Sequence, residues 1–526
     1  LRKMENHLIK LEEFFSGKGV FITGGTGFLG TGLLEALLGV SPNIGKIYVL
    51  VREKRGMTPA ERFKKMFAKE NFRHHSEETL KKVIPITGDL TSVDFGLAPE
   101  ILAEIIENVN IIYHSAGLIK FNRPLKMAIE LNVVSTLRNI QLAKKLKKLS
   151  AFVYVSTALA NINIRGQIEE KVYWPGRDPH ELIKLAEANL LPISESDPEF
   201  TEIVGRHENS YTFSKQVAEN LIQKEMGSLP VGIIRPSAVY GSYNHPVEGW
   251  SGSASSGHLG YIVAHMKGAT RCLYGDRSTV LFAIPCDFFV NGTLVLTCYV
   301  GTRPIEKPEV IHITSNHKVN KLTLGDLNDF MNNEVAKNPC NSYLWRPHSK
   351  VRKGWRYEFF NYAYILLAIL IYIPEKIFRF GPRWMSGFKI VLISYKGAKY
   401  FANIADKIER ISIDNGQRIM RLVNPEDKHR YAADVAQVDW TELFARSIKW
   451  AKTYYYKETG SIGIKHQVIY YTCISIEVIL YTLVWYLVYV ILMTFTSCPE
   501  ISSAIETVGS LLENFKFIEP KKQMIE

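Results

Sequence analysis

The run Gly19-Val-Phe-Ile-Thr-Gly-Gly-Thr-Gly-Phe-Leu-Gly30 constrains the fold of this chain more than any other stretch. Val20–Thr23 is a short apolar β-type run, and the residues after Gly30 (Thr31-Gly-Leu-Leu-Glu-Ala-Leu-Leu38) have helical spacing. Gly24, Gly25, Gly27 and Gly30 therefore fall at a strand-to-helix turn. A bare backbone there lets a pyrophosphate reach the helix N-terminus, where free N–H groups and the helix dipole favour an anion. The strand–turn–helix setting is the context this motif requires. A glycine-rich turn without a ligand is the weaker alternative.

Further βα units follow. Lys46-Ile-Tyr-Val-Leu-Val51 is a second apolar strand, ending in Arg52-Glu-Lys-Arg55. An acid at this strand tip suits the ribose 2′-OH of NAD, whereas an arginine suits a 2′-phosphate. Arg52, backed by Lys54 and Arg55, points to NADPH, although Glu53 stands beside it. Val83-Ile-Pro-Ile-Thr-Gly-Asp89-Leu90 predicts a third strand, whose Asp-Leu end meets the adenine. Asn110–Gly117 predicts a fourth, with small residues at its end, and Ala151–Thr157 a fifth ending in hydroxyls. Strands alternating with helices imply an α/β fold, a Rossmann-type doubly wound parallel sheet with its ligand across the carboxyl ends of the strands.

Tyr211-Thr-Phe-Ser-Lys215 adds chemistry. Residues four apart lie on one face of a helix, a turn apart. There a lysine ammonium favours the phenolate and lowers the tyrosine pKa toward working pH, making Tyr211 a proton donor to a carbonyl oxygen. A lone Tyr-x-x-x-Lys is more often an ordinary helix surface, and the glycine turn is what raises its weight. Thr157 then becomes a second donor to the substrate oxygen.

Together the glycine turn, Ser156-Thr157-Ala158, the Tyr211/Lys215 pair and Arg235-Pro-Ser237 resemble the extended short-chain dehydrogenase/reductases. His114-Ser-Ala-Gly117, Phe121-Asn-Arg-Pro-Leu125, Val155–Asn161, Asn209–Glu219 and Val438-Asp-Trp440 with Tyr454–Glu458 resemble the eukaryotic, insect-like fatty acyl-CoA reductases, over about residues 15–460. The resemblance implies Tyr211 as proton donor, Lys215 as ribose anchor and pKa modulator, and Thr157 as the hydroxyl that polarises the carbonyl, with Ser156 its near neighbour. It also implies NADPH held by Gly24, Thr26, Gly27, Phe28, Gly30, Arg52, Asp89, Leu90, Ala116, Lys215 and Pro236, with no metal. Leu159 replaces a common aromatic, and Gly249–Gly257 and Tyr372-Ile-Pro-Glu375 depart from the family pattern.

With 526 residues, 46% of them hydrophobic and 22% charged, the chain has room for two globular domains and accessories. The expected organisation is a reductase domain over 15–350, a smaller, mostly helical C-terminal domain over 351–460, a membrane helix over 468–496 and a tail over 497–526. Leu1–His7 is charged and starts no signal-like run. The six cysteines are scattered, without zinc or disulfide spacing, as in a reducing compartment. Phe359–Ile373 is apolar but short of a span and suits a membrane-dipping or acyl-contacting helix, or a buried one. Val468–Thr496 holds one charge, Glu477, with basic residues before it and a more acidic tail after it. These features predict a single-pass C-terminal anchor with a cytosol-facing catalytic part, in the endoplasmic reticulum or a peroxisome. The net charge of +12 comes without a nucleic-acid motif, so anionic lipid, CoA phosphates and NADPH are the expected partners.

The implied reaction is reduction of long-chain acyl-CoA, through an aldehyde, to a fatty alcohol. The alternatives are an extended reductase acting on a sterol or free aldehyde, and a catalytically silent NADPH-binding scaffold at a membrane.

Overall fold

Strand β1 (Gly19–Thr23) is buried along its whole length, as is β2 (Ile47–Val51). A strand covered on both faces reads as an unbroken apolar run, and the sequence shows this at both places. Between them lies helix α1 (Phe28–Val40). Helix α2 (Pro59–Phe67) follows, started by Pro59 and a reciprocal Thr58/Glu61 capping box. Then come β3 (Val83–Thr87), β4 (Val109–His114), α3 (Ser135–Lys145), β5 (Ala151–Val155), α4 (Ser210–Glu225), β6 (Val231–Pro236), α5 (Cys286–Gly301) and β7 (Glu309–Ile313).

The seven strands pair in the order β7-β6-β5-β4-β1-β2-β3, every pair parallel. The order reverses between β1 and β4. A ligand crevice opens at such a point, outside the carboxyl ends of the strands. Alternate residues feed two cores. Val20 and Ile22 of β1 join Leu33, Leu34 and Leu37 of α1 and Val290 and Leu294 of α5 on one face. Phe21 joins Ile140 of α3 and Phe213, Val217 and Leu221 of α4 on the other.

This computed structural model describes residues 8–53, 56–121, 123–207, 209–252, 257–340, 346–362, 365, 395, 408, 410–431, 433–458 and 464–496. Lys54, Arg55, most of 359–373, Tyr372–Glu375 and the 497–526 tail fall outside them. Residues Leu1–Thr459 form one compact unit and Gly460–Glu526 another. Within the first, helices α6 (Asp414–Arg421) and α7 (Trp440–Trp450) bury Ile419, Trp440, Leu443, Phe444 and Ile448 in the α1/α5 core. Ile9 bridges Val423, and the Leu11 N–H donates to Asp427 Oδ2 at 2.9 Å.

The second unit corrects an expectation. Its described part is one helix, α8 (Ile464–Thr496). Among the described residues no helix is long and apolar enough to cross a membrane, so a single-pass anchor at 468–496 is not supported. Nor is the membrane placement built on it. Hydroxyl-bearing side chains interrupt the apolar ones in this helix, and Thr472, Thr482 and Thr494 each donate to the carbonyl four residues back.

Candidate active site

The glycine turn is tight because two of its glycines leave no room for a side chain. Gly24 has φ +79°, and a Cβ there would meet the Ala116 amide nitrogen at 2.6 Å; a Cβ on Gly30 would meet the Gly24 carbonyl oxygen at 2.2 Å. The Gly27 N–H donates to that carbonyl at 2.9 Å, and Gly27 is the N-cap of α1. The first turn of α1 is thus presented bare at the edge of the sheet. Ala116 is fixed beside it, its N–H donating to Thr23 Oγ1, which also contacts His114 Nδ1 at 2.8 Å. Burial, with a smaller contribution from Lys215, pushes the His114 imidazole down to about 3, so it packs as a neutral ring. Phe28 leaves the turn toward Trp250, at a ring distance of 5.2 Å.

Arg52 is exposed at the tip of β2, and the structure adds a residue that sequence reasoning missed. Arg62 of α2 donates from one guanidinium nitrogen to the Arg52 carbonyl at 2.6 Å and from the other to Thr26 Oγ1 at 3.1 Å. Arg62 therefore ties the end of β2, where Arg52 stands, to the hydroxyl of the glycine turn. Ten residues separate Arg52 from Arg62, and only the α2 capping box, legible at Thr58/Glu61, brings the second back. Asp89, beyond β3, accepts from the Thr91 N–H and hydroxyl, and these bonds, with Arg52 adding least, hold its carboxyl below the usual range. Leu90 is half-buried against the α3/α4 core, and Pro236 closes β6.

Tyr211 and Lys215 lie on α4, whose first turn is capped by the Asn209 side chain accepting from the Thr212 N–H at 2.9 Å. The Tyr211 phenol lies beside the side chain of Thr157, two residues beyond β5, close enough for Thr157 to favour its ionised form. Lys215 Nζ donates to the Val155 carbonyl at 2.9 Å and sits 4.7 Å from the centre of the Tyr154 ring. Thr157, Tyr211 and Lys215 are therefore brought together at the carboxyl edge of the sheet. Ser156 is not. Its hydroxyl turns away and donates to Glu219 Oε1 at 2.5 Å.

The electrostatics differ from the expectation in one respect. Burial pushes the Tyr211 phenol up to about 12, and Thr157 only partly offsets it. Lys215 does not bring it down. Burial lowers Lys215 itself to about 8, against the pull of Glu219. Taking both groups out of water disfavours the charged form of each. The arrangement is a neutral phenol with its proton in place, beside an amine poised near neutrality.

Behind the pair lies a fully buried ion pair that no short motif announces. Arg235 donates to both Glu219 carboxylate oxygens, at 2.8 and 2.6 Å, and to the carbonyls of Glu169 and Lys171. It ties α4 to β6 and to the 167–171 segment.

Residues 22–293 match the NAD-binding family model described as male sterility protein. A Drosophila melanogaster protein provisionally named a fatty acyl-CoA reductase is 44% identical over 86% of this chain and 83% of its own length. Fatty acyl-CoA reductase 1 of Rattus norvegicus is 31% identical over 86% of this chain and 88% of its own. The terminal reductase domain of the myxalamid biosynthetic pathway shares the fold, at a TM-score of 0.53 and 17% identity over 85% of this chain and 93% of its own. With a nicotinamide-type turn in place and identity of this extent across most of both chains, this protein belongs to the fatty acyl-CoA reductase family.

Proposed function

We propose that the chain reduces long-chain fatty acyl-CoA to fatty alcohol and free CoA, through an aldehyde, at the expense of two NADPH. The observation that carries this reading is the juxtaposition of Thr157 and Tyr211 at the sheet edge, with Lys215 one helical turn further along α4 and donating to the Val155 carbonyl. The glycine turn suits a dinucleotide, because its backbone folds too tightly at Gly24 and Gly30 to admit a Cβ and so leaves the start of α1 free of side chains there. Arg52 and Arg62 favour a 2′-phosphate, hence NADPH over NADH.

Bound NADPH supplies the hydride for each reduction. The chain's own residues do the rest. Thr157 and Tyr211 donate hydrogen bonds to the thioester oxygen as charge develops on it, where preorganised donors act most strongly. The tetrahedral adduct then collapses, its C–S bond breaks, and CoA leaves as thiolate. In the second round Tyr211, whose raised pKa keeps it protonated, gives that proton to the alkoxide oxygen. Lys215 anchors the ribose of the cofactor, and a solvent proton returns to Tyr211 after each transfer. Residues 15–350 carry this chemistry, and 351–460 supply the apolar surface that retains the aldehyde.

Incubating the full chain with NADPH and a ladder of acyl-CoAs, a free aldehyde or a sterol tests the assignment. Alcohol formation with CoA release from long-chain thioesters is the expected result. Turnover of the sterol alone, or of the aldehyde without any thioester activity, contradicts it.

A further inference from the structure

Helix α1, after opening at the dinucleotide turn, carries a buried carboxylate two turns along, and this carboxylate faces two adjacent histidines. Glu35 Oε1 lies 3.0 Å from His74 Nε2 and 3.3 Å from His75 Nε2. The two rings stand 4.0 Å apart at 39°. The three potential ligand atoms all lie within 4.8 Å of one another. Zinc bonds of about 2.0–2.1 Å in a tetrahedron set ligand atoms roughly 3.3–3.4 Å apart, which is close to both measured edges. We infer that Glu35, His74 and His75 form a binding site for a zinc-class divalent cation, outside the catalytic edge.

Two further features support the site. First, both imidazoles address one carboxylate oxygen with the same ring nitrogen, so their Nε2 positions converge instead of spreading over both oxygens. Imidazole and carboxylate ligands suit zinc and its neighbours in the first transition row. Second, burial is graded. The Glu35 and His75 side chains are 11% and 7% exposed while that of His74 is 53% exposed, which leaves an entry path and an open side for water. Arg430 does not occupy the carboxylate; its guanidinium donates to the Gly39 carbonyl at 2.6 Å.

Such a cation would clamp the 70–76 segment onto α1. The buried Phe72 ring, 6.4 Å from that of His75, fixes the start of this segment in the α1 core. The role is structural, so the readout is binding and stability.

Full-length chain stripped with a chelator should take up one equivalent of Zn²⁺ by calorimetry. With Co²⁺ it should develop the visible absorption of a low-symmetry site. Glu35→Gln and His75→Ala should each weaken Zn²⁺ binding by at least about tenfold, and Zn²⁺ should raise the melting temperature of the wild type more than that of either variant. His74→Ala, on the exposed side, gives the same comparison where a buried variant fails to fold. Absence of saturable uptake overturns the inference. So does uptake that survives unchanged in His74→Ala and in whichever buried variant folds.

Discussion

At the scale of single residues, the strand-end Ser156-Thr157 leaves two hydroxyls to choose between, and the structure separates them. Thr157 meets Tyr211, whereas Ser156 is committed to Glu219. Thr157→Val is therefore expected to lower kcat by about 10²- to 10³-fold, in the range of losing one oxyanion donor. Thr157→Ser should recover most of that rate. Ser156→Ala should act on stability instead, by about 1–2 kcal/mol, because it deprives a buried carboxylate of a hydrogen bond; thermal unfolding distinguishes the two. Lys215 gives a pH prediction. Its pKa is depressed to about 8, so the ammonium is present below that value and lost as pH rises through it. The kcat/KM profile should fall with a single ionisation above about pH 8, and Lys215→Arg, which stays charged, should move that limb upward.

At the scale of elements, the glycine turn was legible because it imposes a steric condition that only glycine meets. Gly30 shows how strict the condition is. A methyl group there would sit 2.2 Å from the Gly24 carbonyl oxygen, against backbone that cannot yield. Gly30→Ala should cost at least about 2 kcal/mol of stability by overpacking, and should also abolish NADPH fluorescence enhancement. The five strands up to Val155 were legible as apolar runs with turn residues at their ends. The two that complete the sheet, Val231–Pro236 and Glu309–Ile313, carry Arg235 and His312 within them. Their polar side chains are buried by long-range partners, Glu219 for one and the Ser412 carbonyl for the other. Local pattern does not announce such pairings. Arg62 escaped notice for a similar reason, since a basic residue on an amphipathic helix resembles any solvated face.

At the scale of the whole molecule, the sequence suggested a reductase domain ending near 350 and a helical addition. The contacts show how closely the described part of that addition is built into the sheet's own core. Ile419, Trp440, Leu443, Phe444 and Ile448 are buried there, at about 2 kcal/mol each by area. Their sum, about 10 kcal/mol, rivals the whole stability margin of a typical protein. A chain ending at residue 350 is accordingly expected to be insoluble or to lack a cooperative melting transition. One ending at Thr459, the limit of the first compact unit, should melt cooperatively and bind NADPH. The anchor expectation failed at this same scale. Apolar composition over 468–496 was legible, but among the described residues no helix has the length and apolarity a span demands.

The central claim is that one Thr157/Tyr211/Lys215 site carries an acyl-CoA through both reductions. It is tested most directly by single-turnover product analysis of the full chain with a long-chain acyl-CoA, comparing wild type with Tyr211→Phe at matched NADPH occupancy. The account predicts two NADPH oxidised and one CoA released per alcohol in the wild type. It predicts alcohol formation slowed by about 10²- to 10⁴-fold in Tyr211→Phe, the usual contribution of a general acid, with NADPH affinity unchanged. Alcohol formed at the wild-type rate by Tyr211→Phe would contradict it.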